Sequence, residues 1–172
     1  CQARPDVWYL GDRQGQCICE FRCTEVVDLS ARRLGVYRYG QWIVCSYSGA
    51  ALSAAFDAVA PFDATVELAR VRRGRRFGYL ALDGKLIFTI EYDSADAVFS
   101  EGAATVSRGN RVGFINLSGE HWLEADEFGM FAGGRACFRV KGRYGYVNHF
   151  GHVVLPSVFL DVGDFRDDRA VV

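Results

Sequence analysis

Five glycines at nearly equal intervals constrain the fold of this chain more than any other feature of its sequence. Each closes a short turn after an apolar segment, and successive glycines are 34, 35, 35 and 32 residues apart. Self-similarity at such a period is typical of repeat architectures, in which each copy buries its apolar face against its neighbours. The sequence therefore predicts a single domain over residues 1–172, with about five units of roughly 34 residues that close near Gly15, Gly49, Gly84, Gly119 and Gly151.

A hairpin motif ends at each of these glycines. It consists of a basic residue, an apolar residue, Gly, an aromatic residue, an aliphatic residue and a turn that ends in Gly. The clearest copies are 76–84, 111–119 and 143–151. Segment 41–49 follows the same pattern with Ile43 at the first glycine position, and segment 7–15 is a looser copy. Glycine after a turn-forming residue suits the positive φ of a tight connection, so the motif predicts β-hairpins.

Recurring aromatic residues follow each hairpin, and we expect them to fill the core between units. The first set is Phe56, Tyr92, Phe128 and Phe159, and the second is Phe62, Phe99, Phe131 and Phe165. Large aromatic side chains at repeating positions are more often packed than bound to a ligand. A strand of small apolar residues is predicted after each pair, at 66–71, 103–106, 136–140 and 170–172.

With these landmarks the chain resembles the WG-repeat family of bacterial proteins. Units of that family carry Trp or Tyr before the glycine, an aromatic-Ile-Asp run after it, and a later Tyr-Asp pair. The best copy here is 99–119; the resemblance is strong over 56–172 and weak over 1–40, where three cysteines replace the usual Gly and Ala. The resemblance implies β-rich repeats that take part in protein–protein interaction, and it implies no catalytic residues.

The predicted fold class is all-β, a tandem repeat of about five β-hairpin units. A two-stranded hairpin is marginally stable alone, so neighbouring units must cover each other's apolar faces. The chain starts at 7–9 with the element that normally follows a strand like 170–172, so the two ends are complementary halves of one unit. Pairing of these ends closes a propeller-like ring, and the alternative is an open β-solenoid.

Basic residues concentrate just before each hairpin. The candidate binding residues of this basic rim are Arg70, Arg72, Arg73, Arg75, Arg76, Arg108, Arg111 and Arg143. We expect the acidic loops to form an opposite rim. Recurrence of Asp57, Asp93, Glu127 and Asp161 at equivalent positions indicates a structural turn role and not a catalytic pair. A docking surface for a charged protein and a merely solvated set of turns both fit this pattern.

Cysteines are the one local concentration that breaks the repeat. Cys17 and Cys19 share a face of a predicted strand, Cys23 follows, and Cys45 lies one repeat later. The group predicts a disulfide if the protein is exported, with a metal site or small core residues as the alternatives. Cys137 replaces a small apolar residue and is predicted to be a buried thiol.

Other sequence signals bear on chemistry and location. The three histidines, His121, His149 and His152, have no acidic or cysteine partner at ligand spacing, and no phosphate loop or nucleophile elbow occurs. We therefore expect no cofactor and no catalytic residues. Cys1 with the short segment 2–6 resembles a lipidated N-terminus and tether, which predicts a periplasmic lipoprotein; the alternative is the cytoplasm.

The sequence favours a non-enzymatic scaffold for another protein, which it inhibits or neutralises in the manner of an immunity protein. One alternative is a cell-wall glycan-binding module that uses Trp8, Tyr37, Tyr39 and Trp42. Another is a metal- or thiol-dependent enzyme. Nucleic acid is not expected as the partner, because 20 basic against 21 acidic residues give a formal net charge of -1 and no overall positive field.

Overall fold

The chain is described from a computed structural model that covers residues 6–166 and 169–172. Within these ranges it is all-β, with seventeen strands in five antiparallel sheets. The same ranges contain no helix, and so none long and apolar enough to cross a membrane. Cys1, the candidate lipidation site, and 2–5 of the predicted tether lie outside the described residues.

The first of two compact units ends at Glu91 and contains three sheets. The two-stranded sheet consists of β1 (Val7–Gly11) and β2 (Cys17–Arg22). The three-stranded sheet consists of β3 (Glu25–Asp28), β4 (Arg33–Arg38) and β5 (Gln41–Ser46). The four-stranded sheet consists of β6 (Ala58–Val59), β7 (Leu68–Arg73), β8 (Arg76–Ala81) and β9 (Leu86–Tyr92), whose last residue already belongs to the second unit.

The second compact unit begins at Tyr92 and contains two four-stranded sheets. The first sheet consists of β10 (Ser94–Ala95), β11 (Ala104–Arg108), β12 (Arg111–Asn116) and β13 (Gly119–Leu123). The second consists of β14 (Glu127–Ala132), β15 (Arg135–Val140), β16 (Arg143–Asn148) and β17 (Val153–Phe159). In all five sheets the strands lie side by side in chain order, so each sheet is one copy of the repeat. The all-β class and the repeated hairpins are thus confirmed.

The repeat glycines have the backbone conformation that the turns require. Gly49 and Gly84 have φ values of 86° and 85°, a region that L-residues other than glycine enter only at a cost. Gly84 also lies under the Leu52 carbonyl, where an added Cβ would be 1.9 Å from the oxygen. Both turn shape and space therefore select glycine at this point of the unit.

A second glycine of the motif is selected by a neighbouring strand. An added Cβ would lie 2.1 Å from the His121 carbonyl oxygen at Gly113 and 2.6 Å from the Leu155 carbonyl oxygen at Gly145. In both cases the oxygen belongs to the fourth strand of the sheet, which lies beside the glycine-bearing strand and approaches the glycine closely. At Ile43 the side chain is tolerated because the β3–β5 sheet has no fourth strand, and β5 is followed only by isolated bridges.

The recurring aspartates cap the turns between the second and third strands of the four-stranded sheets. Asp57 accepts a hydrogen bond from Gly74 N at 2.5 Å, and Asp93 accepts one from Gly109 N at 2.7 Å. In the last sheet Asp126, and not the predicted Glu127, accepts from Lys141 N at 2.7 Å. The predicted structural turn role is therefore correct for the first two sheets and shifted by one residue in the third.

Three buried clusters join successive sheets within the two units. The first contains Phe21, Cys23, Leu34, Val36 and Cys45, the second Leu29, Val44, Phe56, Phe62, Ala69, Val71 and Leu80, and the third Ala103, Phe114, Ala125, Phe131, Ala136, Phe138 and Val147. The predicted core aromatics Phe62, Phe99 and Phe131 are at most 7% exposed. Phe165 is half-buried and packs edge-on against Tyr146.

The predicted strand at 170–172 is wrong. These residues have no strand conformation; instead Arg166 bridges Arg169, and Gly163 N donates to Val171 O at 2.9 Å. A similar isolated bridge joins Ser100 and Ala103 in an earlier copy. Closure of a ring through this segment, or an open solenoid, stays a prediction.

Replacing the glycine that lies against a carbonyl oxygen of the fourth strand should disrupt the sheet. We expect Gly113→Ala to lower the free energy of unfolding by at least about 2 kcal/mol, because its Cβ must displace backbone and not a flexible side chain. Chemical denaturation followed by circular dichroism measures the change. The control is Gly11→Ala, whose Cβ meets only the Gln16 oxygen at 3.6 Å. An equal loss of unfolding free energy in both variants would contradict the explanation that the fourth strand excludes a side chain at Gly113.

Removing a capping aspartate should loosen its turn. We expect Asp126→Ala to cost about 1 kcal/mol of stability, since the Lys141 amide in the turn loses a charged acceptor. The neighbouring variant Glu124→Ala, at an exposed residue, should change stability by less than about 0.5 kcal/mol. Hydrogen exchange at the Lys141 amide should accelerate only in Asp126→Ala, and unchanged exchange there would refute the capping role.

Candidate interaction surface

Five of the predicted rim arginines lie on one hairpin of the first unit. This arginine hairpin comprises Arg70, Arg72 and Arg73 on β7, Arg75 in the turn, and Arg76 on β8. Arg73 pairs with Arg76 across the strands, which leaves Gly74 and Arg75 as a two-residue tip. The paired residues Arg73 and Arg76 and both residues of the tip are exposed. The strand register therefore concentrates these charges at the end of the hairpin.

The guanidinium groups of this hairpin are held by carbonyls and rings. Arg73 Nη2 donates to Ala55 O at 2.9 Å, and its guanidinium lies 5.2 Å from the Phe56 ring centre. Arg72 Nη1 donates to Gly74 O at 2.8 Å, and Arg76 Nη1 to Glu91 O at 3.0 Å. These contacts hold the side chains in place through neutral carbonyl oxygens and an aromatic ring. Arg75 is exposed and makes no hydrogen bond or ion pair with any described residue.

Acidic groups do not form a separate rim opposite these arginines. Asp57 lies at the same tip, where the Gly74 amide, the Gln41 side chain and the nearby Arg72 and Arg73 hold its pKa below the usual range. Asp93 and Asp126 occupy the corresponding turns of the second unit. The expected opposite rim is therefore wrong for these three residues, because the turn amides bind the carboxylates at the basic ends of the hairpins.

The remaining rim arginines belong to the second unit, and two of them lie beside an indole. The guanidinium groups of Arg108 and Arg111 lie 4.8 and 5.0 Å from the Trp122 ring centre. Glu120 accepts from Trp122 Nε1 at 3.0 Å and is 3.9 Å from Arg108. Arg143 Nη1 donates to Val158 O at 3.3 Å. These arginines stabilise their own sheets and are less free for a partner than Arg75.

The aromatic residues proposed for a glycan platform differ in exposure. Tyr39, at the β4–β5 tip, is 95% exposed, and Trp8 is 43% exposed. Tyr37 and Trp42 are half-buried and pack on each other with ring centres 5.0 Å apart. Of the four, Tyr39 and Trp8 offer the most accessible ring surface.

The candidate thiols gather in the first buried cluster. Cys23 and Cys45 are each 5% exposed there, and Cys19 packs against them and donates weakly to Tyr47 O. Cys17 is exposed. The five described cysteines are free thiols, and within 6–166 and 169–172 no three His, Cys, Asp or Glu side chains are placed to hold a metal ion. A disulfide in this group stays a prediction.

Two histidines have partners that sequence spacing does not show. His149 Nε2 lies 3.5 Å from Glu101 Oε2, and its ring stacks on Phe131. His121 stacks on Phe114, and burial, followed by the charges of His149 and His152, lowers its pKa. Spacing along the chain does not show these contacts, because Glu101 and His149 belong to different sheets that pack together.

One group was missed by reasoning from the sequence. Arg32, Arg33, Ser46, Tyr47 and Ser48 line an open pocket of about 320 Å³ in the first unit. Arg32 and Arg33 lie just before and at the start of β4, and the other three residues lie at the end of β5 and just after it. Because the β4–β5 hairpin separates the two groups, their spacing along the chain does not indicate a pocket. The Ser-Tyr-Ser run before the repeat glycine, which differs from the other copies, is the one hint in the sequence.

The thiol arrangement predicts unequal reactivity. Iodoacetamide should modify Cys17 at least about tenfold faster than Cys23 or Cys45, because burial raises the pKa of both buried thiols and blocks access. Peptide mass spectrometry after timed labelling measures the rates, with urea-unfolded protein as the control. Recovery of a Cys23–Cys45 disulfide peptide from unreduced protein would contradict the free-thiol arrangement.

Comparison with known proteins supports the repeat. No curated protein matches the chain. A family model described as WG containing repeat matches residues 77–111 and 144–172. Both matches start one residue into the glycine-bearing strand, at Phe77 of β8 and Tyr144 of β16, so they coincide with equivalent points of two sheets. The resemblance found in the sequence is confirmed, and the chain carries WG repeats in these two segments.

Proposed function

We propose that this chain is a non-enzymatic repeat scaffold that binds another protein through the arginine hairpin. The observation that supports this most is the fixed, exposed set of guanidinium groups around Arg75. Side chains already held by Ala55 O, Gly74 O and Glu91 O lose little conformational entropy when a partner docks. Arginine is also enriched in protein interfaces, where its planar group binds carboxylates in pairs.

The partner proposed is a protein with an acidic patch. Asp57 at the same tip leaves the surface mixed in charge, with Arg72, Arg73 and Arg75 dominant. A partner must therefore place its carboxylates between these guanidinium groups and away from Asp57, which favours a shaped protein surface over a uniform phosphate backbone. Neutralisation of that partner, and a periplasmic location through Cys1, extend this proposal on the basis of the sequence.

Glycan binding is the second candidate, and the exposure of Tyr39 favours it. Its ring is 95% exposed, with the Arg38 guanidinium 5.8 Å from the ring centre. An aromatic ring beside a hydrogen-bond donor can stack on a sugar and bind its hydroxyl groups. This surface lies on a different hairpin, so variants can separate the two functions.

The test is an affinity pull-down from the source organism's extract, followed by direct binding of any retained protein. Arg72→Glu/Arg75→Glu should weaken binding at least about tenfold, or 1.4 kcal/mol, because both guanidinium groups are replaced by carboxylates. The matched control, Arg13→Glu/Arg22→Glu, makes the same change of charge at exposed residues of the first sheet and should bind normally.

Each outcome decides the proposal. Retention of one stoichiometric protein by wild type and the control, and its loss from the hairpin variant, supports it. Equal loss from both double variants would show a response to net charge alone and would reject the hairpin as the site. Glycan binding would be established instead if the wild type and the hairpin variant retain cell-wall glycan and Tyr39→Ala does not.

A further inference from the structure

The turn between β3 and β4 carries unusual backbone strain. Ser30, Ala31 and Arg32 have φ values of 70°, 47° and 58°, three successive non-glycine residues in the left-handed region. Each costs about 1–2 kcal/mol relative to an ordinary conformation. The corresponding turns between β10 and β11 and between β14 and β15 have glycine in the left-handed region, at Gly102 and at Gly133 and Gly134. Strain of this kind persists where surrounding contacts impose it, and it is concentrated at functional sites.

Hydrogen bonds impose this conformation and fix one arginine. Asp28 Oδ1 accepts from Ser30 N at 2.8 Å, and Arg33 N donates to Ser30 O at 2.9 Å. Arg33 Nε donates to Leu82 O at 2.8 Å, while its Nη1 donates to the carbonyls of Ala31 and Arg32 at 3.3 and 3.2 Å. Nη2 of Arg33 has no hydrogen-bond partner among the described residues. The turn thus presents two N–H donors on an immobilised guanidinium group.

The pocket beside this turn is lined by residues that carry polar groups, together with the apolar stems of their side chains and the Tyr47 ring. Besides Arg32 and Arg33, its walls are Ser46, Tyr47 and Ser48, around about 320 Å³ of open space. The two serine hydroxyls are 2.7 Å apart, and Ser46 Oγ also accepts from Ala50 N at 3.2 Å. The bond between the serines uses one hydroxyl proton, which leaves the other free to donate into the pocket.

The charges around the pocket sum to positive. Asp28 is the carboxylate that faces it, and its two oxygens are occupied by Ser30 N and the Tyr47 hydroxyl, the latter at 3.2 Å. Burial and Asp28 raise the pKa of Tyr47, so its hydroxyl stays a neutral donor to Asp28. Arg32 is exposed, and its side chain has no hydrogen bond to any described residue. Two guanidinium groups therefore outnumber one carboxylate, which already accepts two hydrogen bonds.

We propose that this pocket binds a phosphate monoester group. The lining residues include two arginines and two serine hydroxyls. Guanidinium N–H groups and a hydroxyl on separate residues can bind several oxygens at once, which suits an oxyanion with three terminal oxygens. The volume exceeds that of the phosphate alone and leaves room for the group esterified to it. The proposal is independent of the arginine hairpin, since none of its residues belongs to that surface.

The experiment is a titration of ¹⁵N-labelled protein with inorganic phosphate and, separately, O-phosphoserine, at constant ionic strength adjusted with chloride. We expect saturable shifts of the amides of Arg32, Ser46, Tyr47 and Ser48 with O-phosphoserine. Tighter binding of O-phosphoserine assigns the pocket to an esterified phosphate. Binding of inorganic phosphate alone, or no saturable shift at millimolar concentrations, would overturn the proposal.

Variants localise the binding. Arg32→Gln should weaken it about tenfold, because one charge-assisted contact is lost; glutamine is as strained as arginine at this φ, so the fold is retained. Ser48→Ala should weaken binding about threefold. The control Arg75→Gln removes an arginine of the interaction surface and should leave phosphate affinity unchanged. Equal affinity of Arg32→Gln and wild type would place the anion elsewhere and reject the pocket.

Discussion

The close approach of the fourth strand's backbone to the third strand is the constraint on which the four-stranded sheets depend. Where the fourth strand lies beside the third, its carbonyl oxygen occupies the space of a side chain, so only glycine fits at Gly78, Gly113 and Gly145. The fourth strand then completes a four-stranded sheet. In the copy with Ile43 the fourth strand is replaced by isolated bridges. The presence or absence of a side chain at this position thus accompanies an incomplete or a complete sheet.

Polar contacts at the hairpin tips determine which surfaces are available for binding. A recurring carboxylate satisfies the turn amide of Gly74, Gly109 or Lys141 and remains beside the basic residues of that turn. The tips therefore present mixed charge, and arginines anchored by carbonyls or rings extend past the carboxylate. This arrangement stabilises the turns and at the same time gives each tip a distinct pattern of charge.

The incomplete copy is also where the chain departs most from its own repeat. The β3–β4 turn uses three strained residues in place of glycine, and the following hairpin carries Ser46 and Ser48. The adjacent buried cluster contains the thiols of Cys23 and Cys45, whereas the other two buried clusters consist of aliphatic and phenylalanine side chains. Loss of the regular pattern coincides with a polar pocket of about 320 Å³. Departures from the repeat, more than the repeat itself, mark the candidate ligand site.

The sequence by itself determined the number of copies, the hairpins, the positive-φ glycines and the buried aromatics, because each follows from local spacing and from burial that recurs with the repeat. It placed Asp57, Asp93 and Asp126 on the wrong rim and missed both the Glu101–His149 pair and the Arg33 pocket. Those depend on which turns pack side by side. Only the tertiary structure decided them, since contacts between residues 15 to 50 positions apart have no signature in spacing along the chain.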